Sequence, residues 1–243
     1  MKDYNLTQFR SDLAQLPVSL NEGQEEQFLL YYELLIQWNE VMNLTAITDF
    51  DDVLKKHFVD SLSLIRAVPQ LVQDSLSILD VGTGAGFPGI PLKIAFPGLR
   101  ITLLDSLNKR ITFLNEAISK LALDGIEAVH GRAEDFAKPS LFREKYDICV
   151  SRAVANLSTL SEYCLPFVKV GGQFISYKTE KAEEEAVAAE KAIHLLGGEV
   201  EMKTDFYLPD SDIHRILFVI NKKTCTPKKY PRKAGLPAKE PIV

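Results

Sequence analysis

Two hydrophobic rhythms divide the chain. From residue 77 onward, short apolar runs alternate with amphipathic stretches, the signature of strands and helices winding an open α/β sheet. Ile78-Leu79-x-Val81 reads as a buried parallel strand, followed by a helix over Ile90 to Phe96. Arg100 to Asp105 predicts a second strand, and Asn108 to Leu121 a helix with Ile111, Leu114, Ile118 and Leu121 on one face. Asp124-Gly125 turns the chain into a third strand, Ile126 to His130. Tyr146 to Ser151 reads as the fourth, Leu157 to Val168 as a helix, and Gln173 to Tyr177 as the fifth. A charged helix over Glu180 to Leu196, stopped by Gly197-Gly198, carries a Glu183-Glu184-Glu185 run read as a solvated face. Glu199 to Phe206 and Arg215 to Ile220 predict a terminal antiparallel pair.

Before residue 71 the period is helical. Ser19-x-x-Glu22 predicts a capping box opening a helix with Phe28, Tyr32, Leu35 and Met42 at helical spacing, and Trp38 and Asn39 as packing residues near its end. A second helix starts near Thr48 or Asp49 and runs through Val53, His57, Ser61 and Ile65. His57 has no second histidine at ligand spacing, so it reads as a packed residue and no metal site is expected. The pattern gives an N-terminal helical extension (1–70), an α/β domain (71–221) and a tail (222–243).

Charge changes the picture only in that tail. The whole chain carries −5, yet the residues from Asn221 onward hold seven basic side chains against one acid. Prolines 227, 231, 237 and 241 interrupt them, so the tail is expected to be extended and outside the core. Lys228, Lys229, Arg232 and Lys233 are its candidate contacts to a polyanion, with Tyr230 placed to stack on a base. Cys149, Cys164 and Cys225 form no CxxC pair, and no apolar run approaches the ~20 residues of a membrane span, so a monomeric cytoplasmic protein is expected.

The chemistry concentrates after the first strand. Gly82, Gly84 and Gly86 alternate in a turn between strand and helix, the cradle for a nucleoside-bearing cofactor. Gly84-x-Gly86-x-x-Gly89 formally matches the dinucleotide fingerprint, so NAD is one reading. Leu79 to Gly86 also matches hydrophobic-Asp-hydrophobic-Gly-x-Gly-x-Gly, which points to S-adenosylmethionine. A purely structural turn is the plainer alternative. Asp105, ending the second strand, would accept ribose hydroxyls with either cofactor, or else cap the helix that follows. Gly131 to Asp135 face the same edge, where adenine should lie. Ser151-Arg152-Ala153 closes the fourth strand at the crevice, where Arg152 either serves the site or forms a structural ion pair. No Asp/Asn-Pro-Pro-aromatic motif follows that strand, and Cys149 reads as a small packed hydrophobe rather than a nucleophile. An acceptor with a free lone pair, such as purine N7, fits better.

Taken together, these segments resemble the bacterial small-subunit rRNA guanine-N7 methyltransferases, the glucose-inhibited division protein B family. They are Trp38-Asn39-x-x-x-Asn43-Leu44-Thr45, His57-Phe58-x-Asp60-Ser61, DVGTGAGFPGIP from Asp80 to Pro91, Asp105-Ser106-x-x-Lys109-Arg110, Arg132-Ala133-Glu134, Ser151-Arg152-Ala153 and Tyr230-Pro231-Arg232-Lys233-Ala234-Gly235. The resemblance implies a class I methyltransferase fold, a Rossmann-like seven-stranded and mostly parallel sheet with a helical N-terminal extension. It implies S-adenosylmethionine as donor and a guanine of 16S rRNA as acceptor. By match, Gly82 and Phe87 contact the cofactor, Ala133 and Glu134 hold its adenine side, and Arg152 completes the site as its catalytic candidate. An NAD-dependent oxidoreductase and a non-catalytic RNA-binding protein remain the other two readings.

Overall fold

The computed structural model describes residues 4–72, 75–152, 155–179 and 182–243. Ala153 and Glu180 of the expectations above fall outside them. Seven strands form one sheet: β1 (Ser77–Val81), β2 (Arg100–Asp105), β3 (Ile126–His130), β4 (Tyr146–Arg152), β5 (Val168–Lys178), β6 (Gly198–Tyr207) and β7 (His214–Lys222). Their order is β3-β2-β1-β4-β5-β7-β6. The first five run parallel, whereas β7 is antiparallel to both β5 and β6. The strand order reverses at β1, whose neighbours are β2 and β4, so a crevice opens beyond its carboxyl end. This is the mostly parallel seven-stranded sheet expected from the sequence.

Strand alternation sorts the core into two clusters. On β1, Ile78 joins one with Phe28, Tyr31, Phe58, Ile90 and Phe113. Leu79 and Val81 join the other with Cys149, Leu157 and Phe174. The N-terminal helices therefore cover one sheet face. Gln24 Nε2 donates to the Ile94 carbonyl at 2.7 Å, and Gln27 Nε2 to that of Leu121 at 2.7 Å, bonding the long helix Glu22–Asn39 to two helices of the sheet domain.

Several local expectations are corrected. The capping box belongs to Asn21 and Gln24, not to Ser19 and Glu22: Asn21 accepts from the Gln24 amide, and the Gln24 side chain accepts from the Asn21 amide. The next helix is capped by Asp49 as expected, but it changes to a π-helix over Leu54–Val59. Such widened turns are rare and recur at functional sites. The helix from Leu157 ends at Cys164, and β5 already begins at Val168. Glu185 is no solvated residue: its carboxylate takes Lys178 Nζ at 2.6 Å and the Leu157 amide at 2.9 Å.

The tail is the largest correction. It folds back over the second core instead of extending. Lys222 is buried and donates to the Leu165 carbonyl at 2.6 Å, and burial lowers its pKa to about 8. Arg143 donates to the carbonyls of Thr226 at 2.6 Å and Tyr230 at 2.8 Å. Tyr230 is buried and cannot offer a ring to a base. Arg232 closes on the buried Glu162, donating Nη2 to Oε2 at 2.7 Å and its own amide to Oε1 at 2.7 Å. Its guanidinium is therefore committed to the fold and not to a polyanion. Lys228, Lys229 and Lys233 remain exposed.

Candidate functional site

Three clefts run side by side along the carboxyl edge of the sheet. The central one, about 410 Å³, is lined by the turn after β1 together with Thr45, His57, Asp105 and Arg152. A second, about 360 Å³, continues past Gly82, Asp105 and Ser106 to Ala133, Glu134 and the tail. The third, about 440 Å³, lies on the other side of His57 and Arg152, bounded by Asp60, Tyr177, Lys178 and Arg215.

Asp80 builds the turn. Its Oδ2 accepts from Thr83 Oγ1 at 2.7 Å and from the Gly89 amide at 2.9 Å, so one carboxylate fastens both ends of the loop. Burial pushes its pKa up to about 6 against those two bonds, and Oδ1 has no partner. Gly84 has φ +63°, and an added Cβ there would meet no protein atom within 4 Å, so the turn presents bare backbone to the cleft. Gly86 serves another purpose. It is not among the lining residues of these three clefts, and a Cβ there would lie 2.6 Å from Ile90 Cδ1 and 2.9 Å from Tyr31 Oη. Its missing side chain thus makes room where the helix Glu22–Asn39 meets the turn.

Asp105 is nearly buried and lines the central and second clefts. Oδ2 accepts from the Gly84 amide at 2.9 Å and Arg110 Nη1 at 3.1 Å, while Oδ1 accepts from the Leu107 amide at 2.9 Å. Asp105 does not cap the helix that follows, whose N-cap is Leu107 with no side-chain cap, and its carboxylate instead joins the glycine turn to the half-exposed Arg110. Ala133 and Glu134 stand in the second cleft as expected, although Glu134 Oε1 already accepts from the Gly235 amide at 2.8 Å.

Arg152 separates the central cleft from the third. Nη1 donates to Asp60 Oδ2 at 2.9 Å, and the guanidinium carbon lies 5.0 Å from the centre of the Phe87 ring. Asp60 is buried and also accepts from Arg215 Nε at 2.8 Å, so one carboxylate holds arginines from β4 and β7. Arg152 thus forms the structural ion pair, and it also lines both clefts.

The residue that sequence reasoning set aside is His57. Its ring stacks on Phe87 at 4.5 Å, and Nδ1 lies 3.4 Å from Arg152 Nη2. A guanidinium only donates, so Nδ1 accepts and Nε2 carries the proton toward Thr45 Oγ1, 2.8 Å away. Burial, then the Arg152 charge, lower its pKa to about 4, which keeps it neutral. Asn39 places Thr45 by accepting from the Leu44 and Thr45 amides at 2.8 and 3.0 Å, so it is a loop fastener and not a packing residue. The signal lay in the spacing of Asn39, Thr45 and His57, which is meaningless until a π-turn and a loop bring them together.

The glycine turn, the shared carboxylate and two connected clefts fit a ligand with a ribose between an amino-acid-like end and a base. Among the described residues no helix is long and apolar enough to cross a membrane. Comparison with known structures supports the architecture. A SAM-dependent methyltransferase from Aquifex aeolicus superposes with a TM-score of 0.51 at 17% identity, over 71% of this chain and 93% of that one. TYW2 of M. jannaschii, solved in complex with AdoMet, gives 0.50 at 14% identity over 65% and 75%. Sequence comparison goes further. A protein of Lachnoclostridium phytofermentans called ribosomal RNA small subunit methyltransferase G is 56% identical over 97% of this chain and 96% of its own. One of Limosilactobacillus reuteri with the same name is 51% identical over 98% and 99%. The sequence model of the GidB family, described as rRNA small subunit methyltransferase G, matches residues 24–213. On that match and these identities, the chain belongs to the GidB family of rRNA small subunit methyltransferases.

Proposed function

We propose that this protein transfers a methyl group from S-adenosylmethionine to N7 of a guanine in small-subunit rRNA. The observation that carries the reading is the partition of one sheet edge by Arg152 and His57, with a glycine-cradled cleft on one side and an open cleft on the other. In this reading Gly82, Gly84, Phe87 and Asp105 hold the methionine and ribose part of the cofactor, and Ala133 and Glu134 its adenine side. The target base enters the cleft bounded by Asp60, Tyr177 and Arg215. The NAD alternative rested on Gly84, Gly86 and Gly89 alone, and the family match supports S-adenosylmethionine instead.

S-adenosylmethionine supplies an electrophilic methyl group, and guanine N7 offers a free lone pair, so no base has to remove a proton. The neutral His57 suits that chemistry, being a positioned wall and not a proton acceptor. Arg152, held by Asp60, orients the acceptor, and positioning supplies most of the rate. N7 is hidden in the deep groove of A-form RNA, so the target nucleotide must be unpaired or splayed out. Lys228, Lys229 and Lys233 lie exposed for RNA phosphates. The test is single-turnover incorporation of tritiated methyl into small subunits from a strain lacking this protein. Label recovered as N7-methylguanine is expected. Label in another base, or none, would refute the assignment.

A further inference from the structure

The folded-back tail does more than cover the second core. Gly235 and Ala238 line the cleft that also holds Leu104, Asp105, Ala133 and Glu134. Gly235 has φ +83°, a left-handed conformation that starts the short helix Leu236–Lys239 and turns its amide toward Glu134. The segment is fastened on both sides of this point. Before it, Arg232 grips Glu162, which is 1% exposed. After it, Thr159 Oγ1 donates to the Pro237 carbonyl at 3.2 Å, and Ser158 Oγ to that of Ile242 at 2.5 Å. All three anchors sit on the helix Leu157–Cys164, whose Tyr163 lines the same cleft.

We infer that residues 230–243 form a wall of the site for the adenosine part of the cofactor. The inference rests on the reading of this edge as a S-adenosylmethionine site. It gives the tail a cofactor-side role beside the one proposed for its exposed lysines toward RNA. Glu134 has two tasks in this arrangement: one oxygen holds the strap, and its carboxylate faces the cleft beside Ala133. Ligand binding and strap docking are therefore linked, since each stabilises the surface the other needs.

Two measurements test this with S-adenosylhomocysteine as the probe. Ala238→Trp, at an exposed position, puts a large ring at the cleft mouth without disturbing a buried contact. Its affinity for the probe should fall at least tenfold by calorimetry, while the far-ultraviolet dichroism of the fold is unchanged. Hydrogen exchange on the unmodified protein is the independent check, with the amides of residues 235–240 expected to slow at least tenfold on saturation. Unchanged affinity in a folded Ala238→Trp, or no added protection of the strap while the turn at residues 82–87 is protected, would overturn the inference. Failure of the unmodified protein to bind the probe would instead refute the cofactor reading on which it stands.

Discussion

Two buried carboxylates, Asp60 and Glu162, organise opposite flanks of the same sheet edge. Asp60 draws together Arg152 of β4 and Arg215 of β7, and both arginines face the cleft assigned to the acceptor. Glu162 takes a single arginine through its side chain and its amide, and so holds a segment of chain rather than a surface. The first carboxylate arranges functional groups that would repel one another. The second immobilises a strap against the cleft proposed for adenosine. Similar chemistry therefore predicts different damage: loss of transfer on one flank, and loss of stability and cofactor affinity on the other.

The largest effect is expected from Glu162→Ala, which leaves Arg232 without its partner. Breaking one side of such a pair should cost about 3 kcal/mol in chemical denaturation, with weaker S-adenosylhomocysteine binding as the strap loosens. Asp105→Ala comes next. It removes an acceptor shared by the turn and the ribose site, and should weaken the same ligand by about 1.5–3 kcal/mol in a protein that still folds. Unchanged affinity would exclude Asp105 from the site.

The two flanks also differ in how readily the sequence reveals them. Strands β1, β2 and β4 were legible from apolar runs, because strands buried on both faces leave little else to read, whereas the half-exposed edge strand β3 was legible from the Asp124-Gly125 turn before it. The glycine turn and Asp105 were legible because their chemistry is local to a strand end. His57 and Asn39 were not, since their partners depend on a π-turn and a loop closing over Phe87. The strap was misread for a related reason. Lysines and prolines argue for a solvated tail, and only the fold reveals that Glu162 and Glu134 await it 70 and 101 residues earlier in the chain.

A smaller effect concerns protonation. His57 has a folded-state pKa below its unfolded value, so its neutral form contributes stability that is complete above pH ~6.5 and is lost as pH falls toward about 4. Carbon-bound ring protons of His57 followed by NMR should show no titration between pH 6 and 8. A midpoint near 6.5 would show that the ring is not buried beside Arg152. The smallest change is expected from replacing Lys228, Lys229 and Lys233 together with Ala. Affinity for small-subunit rRNA should drop, and its salt dependence should flatten by roughly 0.7 for each phosphate that is no longer neutralised, without a change in cofactor affinity. An unchanged salt slope would move the RNA surface elsewhere, first to Lys56 and Arg152.

The division of labour between the flanks is tested most directly by Asp60→Asn, measured twice. This substitution preserves size but removes the charge that holds Arg152 and Arg215 together. Single-turnover methyl transfer should fall by about 100-fold, the order expected when a reacting partner is misplaced by an ångström. S-adenosylhomocysteine affinity should stay close to that of the unmodified protein. A variant that loses cofactor affinity but transfers methyl at the normal rate once saturated would contradict the account.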